Sequence, residues 1–376
     1  MARLGDVIKI KPSTVSLKGE RIWLLNLDMV EQQTGRVFEH NFVNVEGLDG
    51  SIVQFDEDAV LYSKLRPNLN KVVLPDMAGF ATSEMLPLMP DTAVLTREYL
   101  AYFLRSDSFV TWAVSKTAGA KMPRLGSKEL LSKEIPLPTL GEQFSIAQQF
   151  VYVDTLISLR KQQLAKLDEL VKSRFVEMFG HQSHNEKSLP YLTIDDVAEI
   201  YLGITHTPTY VDSGVMFISA KNTSGDFLDL SDVKYISREE FEGAPKGSKP
   251  QVNDVLFSRV GSNLGHPVIL EEDLELCTFV SLGFLRTKGK VTSNYLKHWM
   301  RDEFFATQVS AHVKGGGQPN LNTGWLKEFK IIVPSIEAQK EFDEFCKQVD
   351  KSKLSVQQSI DQLETLKKSL MQKYFG

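Results

Sequence analysis

The sequence IPLPTLGEQFSIAQQFVYVDTLISLRKQQLAKLDELVKSRFVEMFG occupies residues 135–180, and IIVPSIEAQKEFDEFCKQVDKSKLSVQQSIDQLETLKKSLMQKYFG occupies residues 331–376. The two stretches align without a gap at an offset of 196 residues. From Glu142 and from Ile336 up to the terminal glycine, neither stretch contains Gly or Pro. Each therefore predicts one long helix, roughly 55 Å in length at 1.5 Å per residue, that stops at its terminal glycine.

Apolar residues recur along both predicted helices at alternating spacings of four and three. This period of about 3.5 residues is typical of a coiled-coil seam. A helix of roughly 55 Å would overhang a domain of about 140 residues, whose expected radius is ~14 Å, so we expect the two helices to pair with each other, antiparallel. The predicted seam residues are Ile146, Phe150, Val153, Ile157, Leu164, Leu167, Val171, Phe342, Val349, Val356, Ile360, Leu363 and Leu370.

The two helices belong to a longer internal repeat. At the offset of 196 the repeat also pairs Thr96 with Thr292, Tyr99 with Tyr295 and Arg105 with Arg301, and at an offset of 195 it pairs residues 60–64 with residues 255–259. The chain is therefore two diverged copies of one unit, and we expect pseudo-twofold symmetry. The predicted regions are a globular domain at 1–134, a central helical region at 135–180, a second globular domain at 181–330 and a C-terminal helical region at 331–376.

Each globular domain has a mixed α/β (α+β) pattern. Runs rich in β-branched and aromatic residues predict strands, and longer apolar-periodic runs predict helices. The predicted strands are 21–27, 51–55 and 59–63 in the first copy and 215–219, 254–258, 267–270 and 278–285 in the second. The predicted helices are 97–114 and 293–310.

Composition narrows the class of protein. The formal net charge of −5 argues mildly against a nucleic-acid ligand. The charges are unevenly placed, however, because residues 61–73, 109–128 and 304–327 contain lysine or arginine and no acid. The two cysteines, Cys277 and Cys346, form neither a disulfide framework nor a zinc motif. The N-terminus has no apolar leader pattern, and together these two observations predict a cytoplasmic protein.

The sequence offers no recognisable catalytic or metal-binding motif. A phosphate-binding loop of the Walker type, an H-E-x-x-H zinc motif and a G-x-S-x-G nucleophile elbow are all missing. Gly315–Gly317 is glycine-rich but is followed by neither Lys-Ser/Thr nor a helix pattern. We therefore predict no catalytic residues and no metal site, and the pattern favours a binding and assembly protein.

The repeat, together with the junction IPLPTLGEQ (135–143) and the helix end Phe179-Gly180, resembles the specificity (S) subunits of Type I restriction–modification systems. The resemblance covers nearly the whole chain, and VLYSKLRPNLNK (60–71) is similar to a segment recurrent in the family's recognition domains. The second copy departs from the pattern, because Ala338 replaces the usual Glu at the junction and residues 260–265 read VGSNLG.

This resemblance implies two target-recognition domains, each recognising one half of a split, asymmetric double-stranded DNA site, with the paired helices setting the spacer. It also implies that two methyltransferase (M) subunits dock on the helical regions and that restriction (R) subunits join them. S-adenosylmethionine, ATP and magnesium would then be bound by those partners, and this chain would hold no cofactor and be no enzyme. No membrane partner is expected.

Sequence readout requires hydrogen-bonding side chains on base edges, and positioning requires cations on phosphates. We expect these residues in the acid-free stretches and in neighbouring loops of both copies. The candidate DNA-binding residues are Lys64, Arg66, Asn68, Lys71, Lys116, Lys121, Arg124, Thr205, Thr207, Lys221, Asn222, Arg259, Asn263, Lys314, Gln318 and Asn320. We expect Glu142 and Gln143, at the junction, to be exposed and to face a partner or cap the helix.

Two other functions stay open at this point. The chain could be a self-contained DNA-cleaving or DNA-modifying enzyme, or a DNA-free scaffold in which the coiled coil is the function. The missing catalytic motifs weigh against the enzyme, and the acid-free loops at equivalent places in both copies weigh against the scaffold.

Overall fold

The computed structural model describes residues 1–12, 21–44, 52–119, 121–261, 263–312 and 320–376. It divides into two compact units. Unit 1 comprises residues 1–162 and 356–376, and unit 2 comprises residues 163–355. Each unit thus contains one globular domain and a part of each long helix. No helix among the described residues is long and apolar enough to cross a membrane.

The elements of the first repeat follow one another closely in sequence. They are β1 Ala2–Arg3, α1 Leu4–Val7, β2 Ile8–Ile10, β3 Arg21–Leu25, β4 Phe42–Asn44, β5 Ile52–Phe55, β6 Val60–Ser63, β7 Val72–Val73, β8 Gly79–Thr82, β9 Met85–Pro90, α2 Arg97–Arg105, α3 Asp107–Ser115, α4 Ser127–Ser132, β10 Glu134–Ile135 and α5 Leu140–Phe179.

The second repeat has a corresponding series. Its elements are β11 Tyr191–Thr193, α6 Ile194–Val197, β12 Ala198–Leu202, β13 Tyr210–Val211, β14 Val215–Ile218, β15 Lys234–Ile236, α7 Arg238–Gly243, β16 Val255–Ser258, β17 Pro267–Ile269, β18 Leu276–Thr278, β19 Leu282–Thr287, α8 Ser293–Met300, α9 Glu303–His312, α10 Thr323–Glu328, β20 Lys330–Ile332 and α11 Ile336–Phe375.

The sheets confirm that the two repeats share one fold. An antiparallel sheet has the strand order β2-β9-β6-β7 in the first repeat and β12-β19-β16-β17 in the second. A second sheet has the order β4-β3-β8-β5 in the first repeat and β13-β15-β14-β18 in the second, where β15-β14-β18 corresponds to β4-β3-β8 and the edge strands β5 and β13 differ. In each of these second sheets one pair is parallel, β3 with β8 and β14 with β18. The mixed α/β class predicted from the sequence is therefore correct.

Three predicted elements are wrong in detail. The helix predicted at 97–114 is two helices, because the buried hydroxyl of Ser106 accepts a hydrogen bond from Phe109 N and starts α3 as an N-cap. The helix predicted at 293–310 likewise breaks before Glu303, where Asp302 Oδ1 accepts from Phe304 N. The strand predicted at 278–285 is two strands, β18 and β19, which belong to different sheets.

The two predicted long helices are α5 and α11, and Gly180 ends α5 in the left-handed conformation (φ 76°). In unit 1, α5 and α11 run antiparallel, with Asp154 Oδ1 2.6 Å from Lys367 Nζ and Lys161 Nζ 3.9 Å from Glu364 Oε1. The predicted seam residues that belong to unit 1 are all buried or half-buried: Ile146, Phe150, Val153, Ile157, Val356, Ile360, Leu363 and Leu370.

Unit 2 has its own antiparallel pair of helical segments. Arg174 Nη2 lies 3.0 Å from Glu341 Oε1, and Lys353 pairs with Asp168. The seam residues of this unit are also buried or half-buried: Leu164, Leu167, Val171, Phe342 and Val349.

The last phenylalanine of each long helix packs in the globular domain of the other repeat. In unit 1, the ring of Phe375 lies 5.2 Å from that of Tyr99 and 5.9 Å from that of Phe150. In unit 2, the ring of Phe179 lies 5.0 Å from that of Tyr295 and 5.5 Å from that of Phe342. The two terminal phenylalanines are buried in the core of these units. Neither globular domain therefore has a complete core from its own repeat alone.

A buried glutamine joins each long helix to its own domain. Gln143 Oε1 accepts from Thr96 N at 2.9 Å, and its Nε2 donates to Val94 O and Pro138 O at 2.8 and 2.9 Å. The expectation that Gln143 is exposed is wrong, because its side chain is fully buried and its amide group forms its hydrogen bonds with Val94, Thr96 and Pro138 of the same unit. Glu142 does cap the helix, since its Oε2 accepts from Thr139 N and from Thr139 Oγ1.

The second repeat reproduces this junction. Gln339 Oε1 accepts from Thr292 N at 2.8 Å, and its Nε2 donates to Lys290 O and Pro334 O at 3.1 and 3.0 Å. Ala338 occupies the place where the first junction has Glu142, so the second helix lacks that cap while the buried glutamine is kept. The hydrogen bonds of the buried glutamine, and not the glutamate cap, are therefore the feature that joins helix to domain in both repeats.

We predict that Gln143→Ala destabilises unit 1 and Gln339→Ala destabilises unit 2. Each change leaves a backbone N–H and two carbonyls without their partner in a buried place, which costs about 2–4 kcal/mol of unfolding free energy. Urea unfolding of the purified chain measures the effect. Gln148→Ala and Gln348→Ala, exposed glutamines on the same helices, are the matched controls, and equal stability of core and control variants would contradict the assignment.

Candidate nucleic-acid interface

One loop has the same length and pairing in both units. In unit 1 the loop of residues 64–71 joins β6 to β7, and Ser63 N donates to Lys71 O at 3.0 Å. In unit 2 the corresponding loop of residues 259–266 joins β16 to β17, and Ser258 N donates to His266 O at 3.4 Å. We call these segments the hairpin loops of unit 1 and unit 2.

A second segment, residues 116–119 and 121–125 in unit 1 and, of the described residues, 320–321 in unit 2, pairs with each hairpin loop. In unit 1, Leu65 and Arg124 form a β-bridge, and Leu125 N donates to Lys64 O at 2.9 Å. In unit 2, Val260 and Asn320 form the same bridge, and Leu321 N donates to Arg259 O at 2.8 Å. Backbone hydrogen bonds thus bring together the acid-free stretches 61–73 and 109–128 in unit 1, and in unit 2 they join the hairpin loop to the end of the acid-free stretch 304–327.

Four cations of unit 1 occupy these paired segments with no side-chain hydrogen bond or ion pair to another described residue. Arg66, Lys116 and Lys121 are exposed, and Lys64 is half-buried. Asn68 is exposed next to them, and its backbone carbonyl accepts from Gln33 Nε2 at 3.1 Å. This group is the part of the candidate interface whose polar side chains are free to meet an anionic ligand.

Lys71 was predicted to contact DNA, and the structure gives it another partner. Its Nζ donates to Leu27 O at 2.5 Å, and burial lowers the pKa of its ammonium group. The corresponding residue of unit 2, His266, donates from its Nε2 to Gly225 O at 2.8 Å. Since this position holds the loop to a distant backbone carbonyl in both units, Lys71 stabilises the hairpin loop rather than presenting a cation on it.

Arg124 is exposed but already paired. Its Nη2 lies 2.9 Å from Glu84 Oε1, and its Nε donates to both carboxylate oxygens at 3.1 and 3.2 Å. These hydrogen bonds raise the pKa of the Arg124 guanidinium above its ordinary value. Glu84 therefore competes with any anionic ligand for this arginine.

Arg259, the unit 2 counterpart of Lys64, is half-buried and serves the fold. Its guanidinium donates to Val280 O at 3.0 Å and to Leu321 O at 3.3 Å, and burial lowers its pKa. The prediction that it presents a cation to DNA conflicts with this geometry, because one hydrogen bond holds the hairpin loop to the second segment and the other holds it to the connection between β18 and β19.

Asn222 is buried, which contradicts its prediction as a DNA contact. Its Oδ1 accepts from Ser219 N, and its Nδ2 donates to Asp229 O and Asp232 O, so the side chain builds a turn. The neighbouring Lys221 is exposed and forms an ion pair with Asp232 at 2.8 Å.

The remaining candidates of unit 2 divide into exposed side chains and residues outside the described part of the chain. Thr205, Thr207, Asn263 and Asn320 are exposed. Lys314 and Gln318 lie outside the described residues. Within the described residues, no group of three or more His, Cys, Asp or Glu side chains could hold a metal ion.

Sequence reasoning missed the residues that hold the unit 1 hairpin loop in shape. Gln33 N donates to Leu69 O at 3.1 Å, Arg105 Nη2 donates to Val72 O at 2.6 Å, and Asn70 Nδ2 donates to Arg105 O at 3.0 Å. Arg105 pairs with Arg301 in the internal repeat, and Arg301 Nη2 lies 3.5 Å from Pro267 O, the carbonyl that corresponds to Val72 O. The repeat was thus the signal that could have identified this arginine.

Comparison with known proteins identifies a family model that matches the chain twice. The family model is described as the Type I restriction modification DNA specificity domain and matches residues 2–169 and 190–365. The specificity subunit of the Type I restriction enzyme MjaVIII from Methanocaldococcus jannaschii is 24% identical over 311 residues, which cover 78% of this chain and 72% of that subunit. The EcoDI specificity subunit from Escherichia coli is 25% identical over 154 residues, 40% of this chain and only 34% of that subunit.

Solved structures show the same fold. A chain from a structure on complex assembly and conformational transition of the type I R-M system has a TM-score of 0.63 and 19% identity, covering all of this chain and 96% of that one. The S subunit of the Type I restriction–modification system from M. genitalium has a TM-score of 0.59 and 13% identity, covering all of this chain and 95% of that one.

We predict that Glu84→Gln strengthens the binding of duplex DNA by this chain. The change removes one negative charge and releases Arg124 for a phosphate, which at low salt should lower Kd about fivefold. Fluorescence anisotropy with a labelled duplex of random sequence measures it. Glu57→Gln is the control, since Glu57 is an exposed carboxylate of unit 1 that forms no ion pair with either segment; equal affinity of the two variants would contradict the competition.

Proposed function

Because the chain belongs to the Type I restriction modification DNA specificity family, a family of DNA-recognition subunits and not of catalysts, we propose that it recognises a split, asymmetric DNA site, one half with each unit. The observation that supports this most directly is the pair of hairpin loops. They have the same length, the same bridge to a second segment and different side chains. One backbone arrangement with two sets of side chains suits two different half-sites.

The paired segments are proposed as the DNA-contacting surface of each unit. In unit 1 this surface offers Lys64, Arg66, Asn68, Lys116 and Lys121, which combine cations for phosphates with groups that can bond base edges. In unit 2 the exposed amides of Asn263 and Asn320 occupy the corresponding segments. Among the described residues of these segments, unit 2 therefore offers neutral hydrogen-bonding groups where unit 1 offers cations.

We propose that α5 and α11 set the unspecified spacer between the half-sites. Each helix has 40 residues, a length of about 60 Å, and contributes to both units. Half-sites one helical turn of DNA apart are separated by about 34 Å. A pair of helices of this length is therefore long enough to relate two such half-sites.

Catalysis is assigned to partners. We propose that two methyltransferase subunits dock on the helical regions and that restriction subunits join them, with S-adenosylmethionine, ATP and magnesium bound by these partners. The complex would act in the cytoplasm, on the DNA of the cell. In isolation the chain should bind DNA weakly, and with its methyltransferase partner the binding should become specific for the site.

We predict that replacing residues 1–134 by the corresponding domain of another family member changes one half of the methylated motif and leaves the other half and the spacer unchanged. The reason is that the hairpin loop and second segment of unit 1 belong to these residues, whereas both long helices lie outside them. Methylome sequencing of cells that carry the chimaera and its methyltransferase partner measures the motif.

The reciprocal replacement of residues 181–330 is the matched control and should change only the other half. A motif with both halves unchanged after the first replacement would contradict the assignment of one half-site to each unit.

A further inference from the structure

Both hairpin loops contain two left-handed residues at the same places. In unit 1 they are Arg66, with φ 49° and ψ 66°, and Asn70, with φ 50° and ψ 53°. In unit 2 they are Gly261 and Gly265, with φ 95° and 73°. The loop conformation thus demands a positive φ at its third and seventh residues whichever side chains occupy them.

The strand pairing that flanks the loops establishes this correspondence. Tyr62 pairs with Val72 in unit 1, and Phe257 pairs with Pro267 in unit 2. Nine residues separate the paired strand residues in each unit, so the loops correspond residue by residue without a gap. Arg66 therefore occupies the place of Gly261.

Glycine adopts a positive φ freely, whereas a residue with a Cβ is destabilised there by contact with its own backbone. Arg66 also precedes Pro67, and a residue before proline prefers an extended conformation. Unit 2 shows that glycine meets the demand of the loop. A strained residue that persists where glycine would fit is a mark of function rather than of folding.

The second left-handed residue of unit 1 has a structural explanation. Asn70 is buried, its Nδ2 donates to Arg105 O at 3.0 Å, and asparagine tolerates the left-handed conformation better than most residues. Arg66 has no such explanation. Its backbone N donates to Pro123 O at 2.8 Å, which glycine could also do, and its exposed guanidinium has no partner among the described residues.

We infer that Arg66 is a DNA contact of unit 1, kept at a strained position because its guanidinium binds the half-site, and that the hairpin loop of unit 2 has no counterpart to it. This inference rests on the proposed function. A planar guanidinium suits either a phosphate or the O6 and N7 atoms of guanine. Gly261 instead lets the backbone of unit 2 approach its half-site without a side chain in between.

The test compares Arg66→Gly, Arg66→Ala and Arg3→Ala in the full chain with its methyltransferase partner. Arg3 is an exposed arginine of unit 1 on β1, outside the hairpin loop. Binding is measured on a duplex that carries the motif assigned by methylome sequencing of the wild type, and on a duplex with the unit 1 half-site scrambled. Thermal unfolding of the same proteins reports the strain.

Both Arg66 variants should bind the motif about tenfold or more weakly than wild type, with the slope of log K against log salt reduced by about one if a phosphate is the partner. A loss confined to the unscrambled duplex identifies a base edge instead. Arg66→Gly should unfold at a temperature no lower than wild type and above Arg66→Ala, because glycine relieves the left-handed strain. Arg3→Ala should match wild type in both measurements.

Three results would overturn the inference. The first is that Arg66→Gly binds the motif within twofold of the wild-type affinity. The second is that Arg66→Gly unfolds at a lower temperature than wild type, so that instability explains its lost binding. The third is that Arg66→Gly no longer binds the methyltransferase partner while the chain keeps its own DNA affinity. A wild-type complex that binds no bipartite motif would instead overturn the proposed function, so the two failures are distinguishable.

Discussion

The packing of each terminal phenylalanine in the domain of the other repeat is the contact on which the rest of the structure depends. Phe375 completes an aromatic cluster with Tyr99 and Phe150, and Phe179 completes one with Tyr295 and Phe342. Burying a phenylalanine contributes about 1.5–3 kcal/mol. Because each contribution comes from the other repeat, the two helices must pair antiparallel within each unit, and neither repeat can complete the core of its globular domain alone. The buried glutamines then fix each helix to its own domain, Gln143 in unit 1 and Gln339 in unit 2.

Much of this fold could be predicted from the sequence, because long periodic signals were present. The ungapped offset of 196 residues and the heptad spacing predict α5 and α11 and their antiparallel pairing, and the glycine after α5 adopts the expected left-handed stop. Short elements were harder to predict from the sequence. The break at Ser106 depends on one buried hydroxyl, and the break between β18 and β19 depends on a change of sheet that no local pattern shows.

The candidate interface was predictable as a region and not as a set of side chains. Two acid-free stretches do meet in unit 1, and the end of the third meets the hairpin loop of unit 2, since a β-bridge joins the segments in each unit. Lys71 and Arg259, however, bond to backbone carbonyls distant in sequence, and Asn222 bonds within its own buried turn. Residue type alone does not distinguish a cation that holds a loop from one that meets a ligand, because both use the same hydrogen-bonding groups. Arg66 differs from Lys71 and Arg259 in features that only the structure gives: its backbone is left-handed, and its guanidinium has no partner among the described residues.

Hydrogen exchange measured by mass spectrometry on Phe375→Ala and Phe179→Ala tests most directly whether the last phenylalanine of each long helix completes the core of the other repeat's domain. Loss of the Phe375 ring should accelerate exchange in α2 of unit 1, Arg97–Arg105, and leave α8 of unit 2, Ser293–Met300, as in wild type. Loss of the Phe179 ring should do the reverse. If Phe375→Ala instead accelerated exchange in α8, or changed neither helix, the claim that each repeat completes the core of the other would be contradicted.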